Sequence, residues 1–220
     1  MQAPSWRSGA LRASPRGGIR RTKFCVQKLR RRAFAVRLRN PFPSETKTVT
    51  AESKDTMAQA FWRFSTGLYA APGVEAHLLT LQDRDKLDVN LALFCLFAAH
   101  VRRPLDYAAV EAMRALAIAW GLGVVAPLRQ ARRAMKPRAS ESEVAAGLRN
   151  EVKAIELAAE KAMQTALAHL LFAVPVGALD QSPRDLAAAH FFDWFHAEDV
   201  EGDGPDVIAA ALIDAAFPPA

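Results

Sequence analysis

Leu81-Gln-Asp-Arg-Asp-Lys-Leu-Asp-Val-Asn-Leu-Ala-Leu-Phe-Cys-Leu-Phe-Ala-Ala-His-Val101 decides the fold. Its second half sets Leu91, Leu93, Phe94, Cys95, Leu96, Phe97, Ala98 and Val101 almost all round a helical cylinder. A helix apolar on every side is one surrounded by other helices. Asp88 stands where an N-cap belongs, with Asn90 in the first turn, so the helix is expected to start there and to be the hub of the core. Arg102-Arg-Pro104 ends it.

Outward from this hub the same period recurs. Upstream, Phe61, Phe64 and Leu68 repeat at helical spacing from Met57 until Pro72-Gly73 breaks the run. Val74, Leu78 and Leu81 form a second, shorter stripe. Downstream, Asp106 caps a helix with Val110, Met113, Ala117 and Trp120 on one side, and Gly121, Gly123 and Pro127 are expected to bend or interrupt it. Arg129, Arg132, Arg133 and Lys136 fall at i, i+3, i+4 and i+7, one basic face that Pro137 closes. Ser140 to Ser142 can cap the next run, whose expected seam is Val144, Leu148, Val152, Ile155, Ala159, Met163 and Leu167. Glu156 and Glu160 lie along a neighbouring strip, which predicts an antiparallel helical hairpin with the basic face near these acids. Ser182-Pro183 opens a further helix bearing Leu186, His190, Phe191, Trp194 and Phe195, and Val207 to Phe217 makes a last short one. No alternating Val/Ile/Thr/Tyr run is present, so the expectation is an all-α protein: a helical bundle with a long antiparallel hairpin over 57–173 and a helical extension over 174–220.

The net charge of +6 is unevenly divided. Residues 1–56 hold 14 Lys/Arg against Glu45, Glu52 and Asp55, whereas residues 57–220 hold 15 against 20 acids. The basicity therefore belongs to the first 56 residues, which show no core-building period and are expected to be a disordered tail. A secretory signal would need a longer apolar stretch than Phe34-Ala-Val. Two readings stay open: an arm that neutralises phosphates, or a start of translation at Met57. Only two cysteines, Cys25 and Cys95, are present, so a disulfide framework is not expected and a reducing, cytoplasmic location is. No apolar run is expected to reach the roughly 18 residues that cross a bilayer.

Phe61-Trp-Arg-Phe-Ser, Leu68-Tyr, Pro72-Gly-Val, Leu81-Gln-Asp, Asp88-Val-Asn-Leu and Leu93-Phe-Cys, followed by Trp120, Pro127-Leu-Arg, Arg132-Arg, Lys136, Leu148-Arg and Glu156, resemble a proteobacterial family of short proteins known only as a domain of unknown function. The resemblance covers roughly residues 57–165. It implies an all-helical cytoplasmic protein and implies no reaction. The basic tail and residues 174–220 depart from the short form of that family.

Three groups of residues are candidates for function. Gln82, Asp83, Asp88 and Asn90 could bind a cation or a small polar ligand at a helix corner, although capping of helix-terminal amides accounts for the same residue types. Arg129, Arg132, Arg133 and Lys136 could bind nucleic acid or an acidic partner, or be a solvated face paired to Glu156 and Glu160; no aromatic residue is interleaved for base stacking. Phe191, Trp194 and Phe195 would pack their helix on the bundle, or on a partner if exposed. His190, Asp193 and His196 are metal-ligand types at i, i+3, i+6, which spreads them round the helix, unlike the i, i+4 pair of a zinc site. No phosphate loop, His-Glu-x-x-His or Gly-x-Ser-x-Gly occurs, and Cys95 lies in apolar surroundings where a thiol stays protonated. No cofactor or catalytic residue is assigned. The leading expectation is a non-enzymatic interaction or adaptor module with a protein partner. The alternatives are a nucleic-acid-associated regulator using the tail and basic face, and a small-ligand or metal-dependent enzyme at the corner of residues 82–90.

Overall fold

The computed structural model describes residues 51–177, 181–200 and 202–219. Among them the chain is helical with no strand. The hub is α3, Val89–His100, in which residues 90 to 99 are all buried. Asp88 holds an extended backbone just before it and accepts the Asn90 N–H at 2.8 Å. That carboxylate is the cap expected there, satisfying one of the amides a helix start leaves unpaired.

Further helices built on the expected stripes surround this hub. α1, Ala51–Tyr69, lays Phe61 flat on Phe97 with ring centroids 4.8 Å apart and edge-on to Phe94. It begins six residues before Met57, so residues 51–56 are helical rather than part of a disordered tail; residues 1–50 lie outside the described residues. Gly73, at φ 81°, turns the chain through left-handed backbone into α2, Val74–Asp83, whose Val74, Leu78 and Leu81 are buried. On the far side, α8, Pro183–Ala197, packs against α3, and α9, Gly204–Ala216, closes over α2 and α8. Leu186, Phe191, Trp194, Phe195, Ile208 and Leu212 belong to the same continuous core as Phe61 and Phe94. Residues of the expected C-terminal extension therefore complete the bundle, each large side chain contributing about 1.5–3 kcal/mol by leaving water.

Two long elements carry the rest. α4, Tyr107–Leu116, is capped by Asp106, which accepts the Ala109 N–H at 2.8 Å. It runs without a break through a π-helical segment, Ala117–Val125, into α5, Ala126–Ala134. Gly121 and Gly123 thus lie in a widened stretch of helix, and Pro127, in the first turn of α5, does not interrupt it. A short turn of helix, α6, Lys136–Ala139, leads to α7, Glu143–Leu170, and α4, the π segment, α5 and α6 all pack on α7. The expectation that no run reaches bilayer length is corrected here. The helical rod Tyr107–Ala134 has 28 residues with a window of mean hydropathy 1.5, enough by length and composition to cross a membrane, and 33% of that window is buried inside the protein. A core helix passes the same test. The seam expected on α7 is also corrected in its first half. Ala159, Met163 and Leu167 are buried, but Val144 is 84%, Leu148 50% and Ile155 55% exposed.

Candidate functional site

The corner between α2 and α3 and the middle of α7 meet at one polar network whose centre is Arg129. Its Nε donates to Glu156 Oε1 at 3.0 Å, Nη2 to Glu160 Oε1 at 2.6 Å, and Nη1 to Gln82 Oε1. Arg132, one turn on, grips Glu156 through both Nε and Nη2. Two groups of candidates that lie far apart in sequence, the corner and the basic face, are therefore one cluster. The face itself divides. Arg129 and Arg132 are turned inward and neutralised, Arg133 reaches Asp83 at 3.5 Å, and Lys136 is exposed.

The corner residues separate in the same way. Asp88 caps; Asp83 does not, being the last residue of α2 with an exposed carboxylate that takes Gln82 Nε2 at 3.4 Å and the Arg133 guanidinium. Asn90 is buried and accepts from Gln164 Nε2 at 3.0 Å. Gln164 escaped the sequence reading, which takes Gly121 only as a residue that bends or interrupts its helix. Gln164 follows Glu160 by one helical turn, which is the only signal that could have placed it in the cluster. Gly121 is explained by contact, since a Cβ there would stand 2.6 Å from Asp88 Oδ2. A glycine lets the carboxylate lie against the π segment.

Burial sets the electrostatics. It pushes the Asp88 carboxyl up, against the Asn90 amide and the Arg129 charge that favour its ionised form. Glu160 is raised in the same way, burial outweighing Arg129. Burial also acts to raise Glu156, but the hydrogen bonds from Arg132 and Arg129 prevail and hold it below the usual carboxylate range. Three carboxyls thus face two guanidiniums, and the two that are harder to ionise are the ones Arg132 does not touch.

The helix of His190 resolves into core. Its imidazole is buried, accepts the Leu105 N–H at Nε2 (3.1 Å) and meets the Cys95 carbonyl at Nδ1 (2.9 Å), which places the proton on Nδ1. Burial drives its pKa below 6.5, so the ring is neutral. Phe191, Trp194 and Phe195 are 2%, 1% and 5% exposed; as an interaction face they are corrected, because α8 turns them into the bundle against α3. Asp193, His196 and Phe192 point outward instead. Among the described residues no group of three His, Cys, Asp or Glu is disposed to hold a metal. Burial raises the Cys95 thiol far above its ordinary range, leaving it protonated. Two open hollows of about 280 Å³ each lie elsewhere, one lined by Asp85, Leu87, Glu198, Asp199, Val200 and Pro205, the other between α8 and α9.

An all-helical bundle whose polar centre is consumed by internal ion pairs defines the class of protein. Residues 60–167 match the family described as a protein of unknown function, DUF2390. No curated protein and no solved structure matches the chain.

Proposed function

We propose that this protein is a non-enzymatic, cytoplasmic interaction module that engages a protein partner through the outward face of α7. We read α5 and α7 as two arms of an antiparallel hairpin, supported by Arg129 reaching Glu156 and Glu160 while Arg132 reaches Glu156. The observation that carries the reading is the aliphatic face Val144, Leu148 and Ile155, which recur at i, i+4 and i+11 and so share one side of the helix, yet stay exposed. Isolated exposed aliphatics are ordinary, but a row along one helix is the geometry of a helix–helix contact. The Arg129 network supports the same reading by its inwardness: it stiffens the arms and leaves Arg129 and Arg132 without free charge for phosphate. The free thiol of Cys95 fits a reducing compartment.

The test is capture of partners from lysate by the full chain, with and without nuclease, compared with Leu148→Glu and Ile155→Glu. A protein retained after nuclease and lost in both variants, with melting temperature unchanged because both sites are exposed, is the expected result. Capture that vanishes with nuclease would transfer the role to nucleic acid. Capture indifferent to both substitutions would remove α7 as the contact face.

A further inference from the structure

The helical rod Tyr107–Ala134 presents two unlike sides over its π segment. Ala117, Gly121 and Val125 are buried, whereas Ala119, Leu122, Gly123, Val124, Ala126 and Pro127 face out. Leu122 is 61% and Val124 38% exposed. From Ala115 to Leu128 the chain carries no charged side chain. A core helix of this hydropathy is mostly enclosed, yet only 33% of the apolar window is buried here.

Free charge enters at one end only. Arg114, before the uncharged stretch, is tied to Glu111 and Glu198. After it, Ala126, Gln130 and Arg133 stand at i, i+4 and i+7 and so continue one helix side, and Lys136 and Arg138 follow with no acid before Glu141. Arg133 is more than half exposed, its guanidinium 3.5 Å from an equally exposed Asp83. Lys136 and Arg138 are exposed and take part in none of the described ion pairs.

An uncharged helix side that ends in cations fits a layered partner, apolar within and anionic at its rim. Ala, Gly, Val and Leu offer a protein surface no polar group to set register, and the cores of protein interfaces favour aromatic residues, Met and Arg. Hydrocarbon demands no register, and a helix meets it with its backbone groups already bonded internally. The rod lies on such a layer rather than across it, because Arg129, just beyond the uncharged stretch, is held in the protein by Gln82, Glu156 and Glu160. We propose that the outward side of the rod docks on the surface of an anionic lipid bilayer, with Leu122 and Val124 entering the acyl boundary and Arg133 and Lys136 meeting headgroup phosphates. The inference rests on other elements than the α7 face of the proposed function, so each can fail alone.

The probe is a vesicle of phosphatidylcholine and phosphatidylglycerol in a roughly two-to-one ratio, with pure phosphatidylcholine as the control. The full chain carries an environment-sensitive nitrobenzoxadiazole label on Leu122→Cys or, for comparison, on Leu148→Cys, in a Cys25→Ser background where Cys95 is buried. With the anionic vesicles a blue shift is expected at position 122 and none at position 148. Leu122→Glu, and separately Arg133→Gln with Lys136→Gln, should each weaken co-sedimentation about tenfold or more. These side chains are exposed, so unchanged melting temperatures verify the fold. Sedimentation without a shift at position 122 would reduce the contact to adsorption of the basic first 56 residues and overturn the proposal, as would binding that Leu122→Glu does not alter. A label at position 122 that already emits as buried in the free chain would show this side covered by protein, a second copy included, and would equally overturn it.

Discussion

His190 shows how a single side chain can be fully used without being functional. Its two ring nitrogens satisfy the Leu105 amide and the Cys95 carbonyl, joining α8 to α3 and to the chain entering α4. His190→Leu strands both backbone groups in the core and should cost about 2–4 kcal/mol in denaturant unfolding. The ring also makes stability depend on pH. Because burial lowers its folded pKa below 6.5, the unfolded chain binds the proton more readily. The contribution is fully present above pH 6.5 and is lost as the pH falls from there toward the lower folded value, by at most about 1.4 kcal/mol per pH unit. The difference in stability between the protein and His190→Leu should therefore shrink between pH 6.5 and 5. A constant difference would mean that the ring is not held neutral. In the sequence this histidine stood among metal-ligand types; spacing alone argued against a metal, but its true partners are backbone groups, which no side-chain pattern announces.

At the scale of elements, the parts legible in the sequence are those fixed by local chemistry. Asp88, Asp106, Ser142 and Ser182 each cap the helix they precede, since the need of terminal amides for an acceptor depends on neighbours in the chain. What spacing could not supply is which stripe finds a partner. Val144, Leu148 and Ile155 continue the period of Met163 and Leu167 and yet face solvent, because burial is decided by where the other helices stop. For the same reason Phe191, Trp194 and Phe195 could be read as core or as contact, and the packing of α8 on α3 decided for core. The candidate site was half legible: the basic face and the acids beside it followed from helical spacing, whereas the link from Arg129 to Gln82 joins residues 47 apart. Between α5 and α7, Arg129→Ala would leave Glu156 and Glu160 side by side with only Arg132 to offset them. A loss of about 2–4 kcal/mol is expected, of which Glu160→Gln in the same chain should recover about 1 kcal/mol. Additive losses in this double-mutant cycle would show that the two groups do not interact.

For the whole molecule, Cys95 is a reporter of cooperative opening. It sits at the centre of α3 with its thiol protonated, and residues of α1 to α4 and of α7 to α9 share the one core around it. In a Cys25→Ser background, maleimide should label it at least about a thousandfold more slowly under native conditions than in denaturant. Labelling within minutes in native buffer would mean that the bundle opens locally around α3. The π segment bears on the molecule at the same scale. A π turn accommodates more residues than an α turn over the same stretch, so Ala117–Val125 sets the angular phase of everything after it. Were the same residues wound as ordinary α-helix, α5 would be rotated by about 100°. Arg129 would then swing out of reach of Glu156 and Glu160, and the surplus residue in the helix is what aims the centre of the ion-pair network.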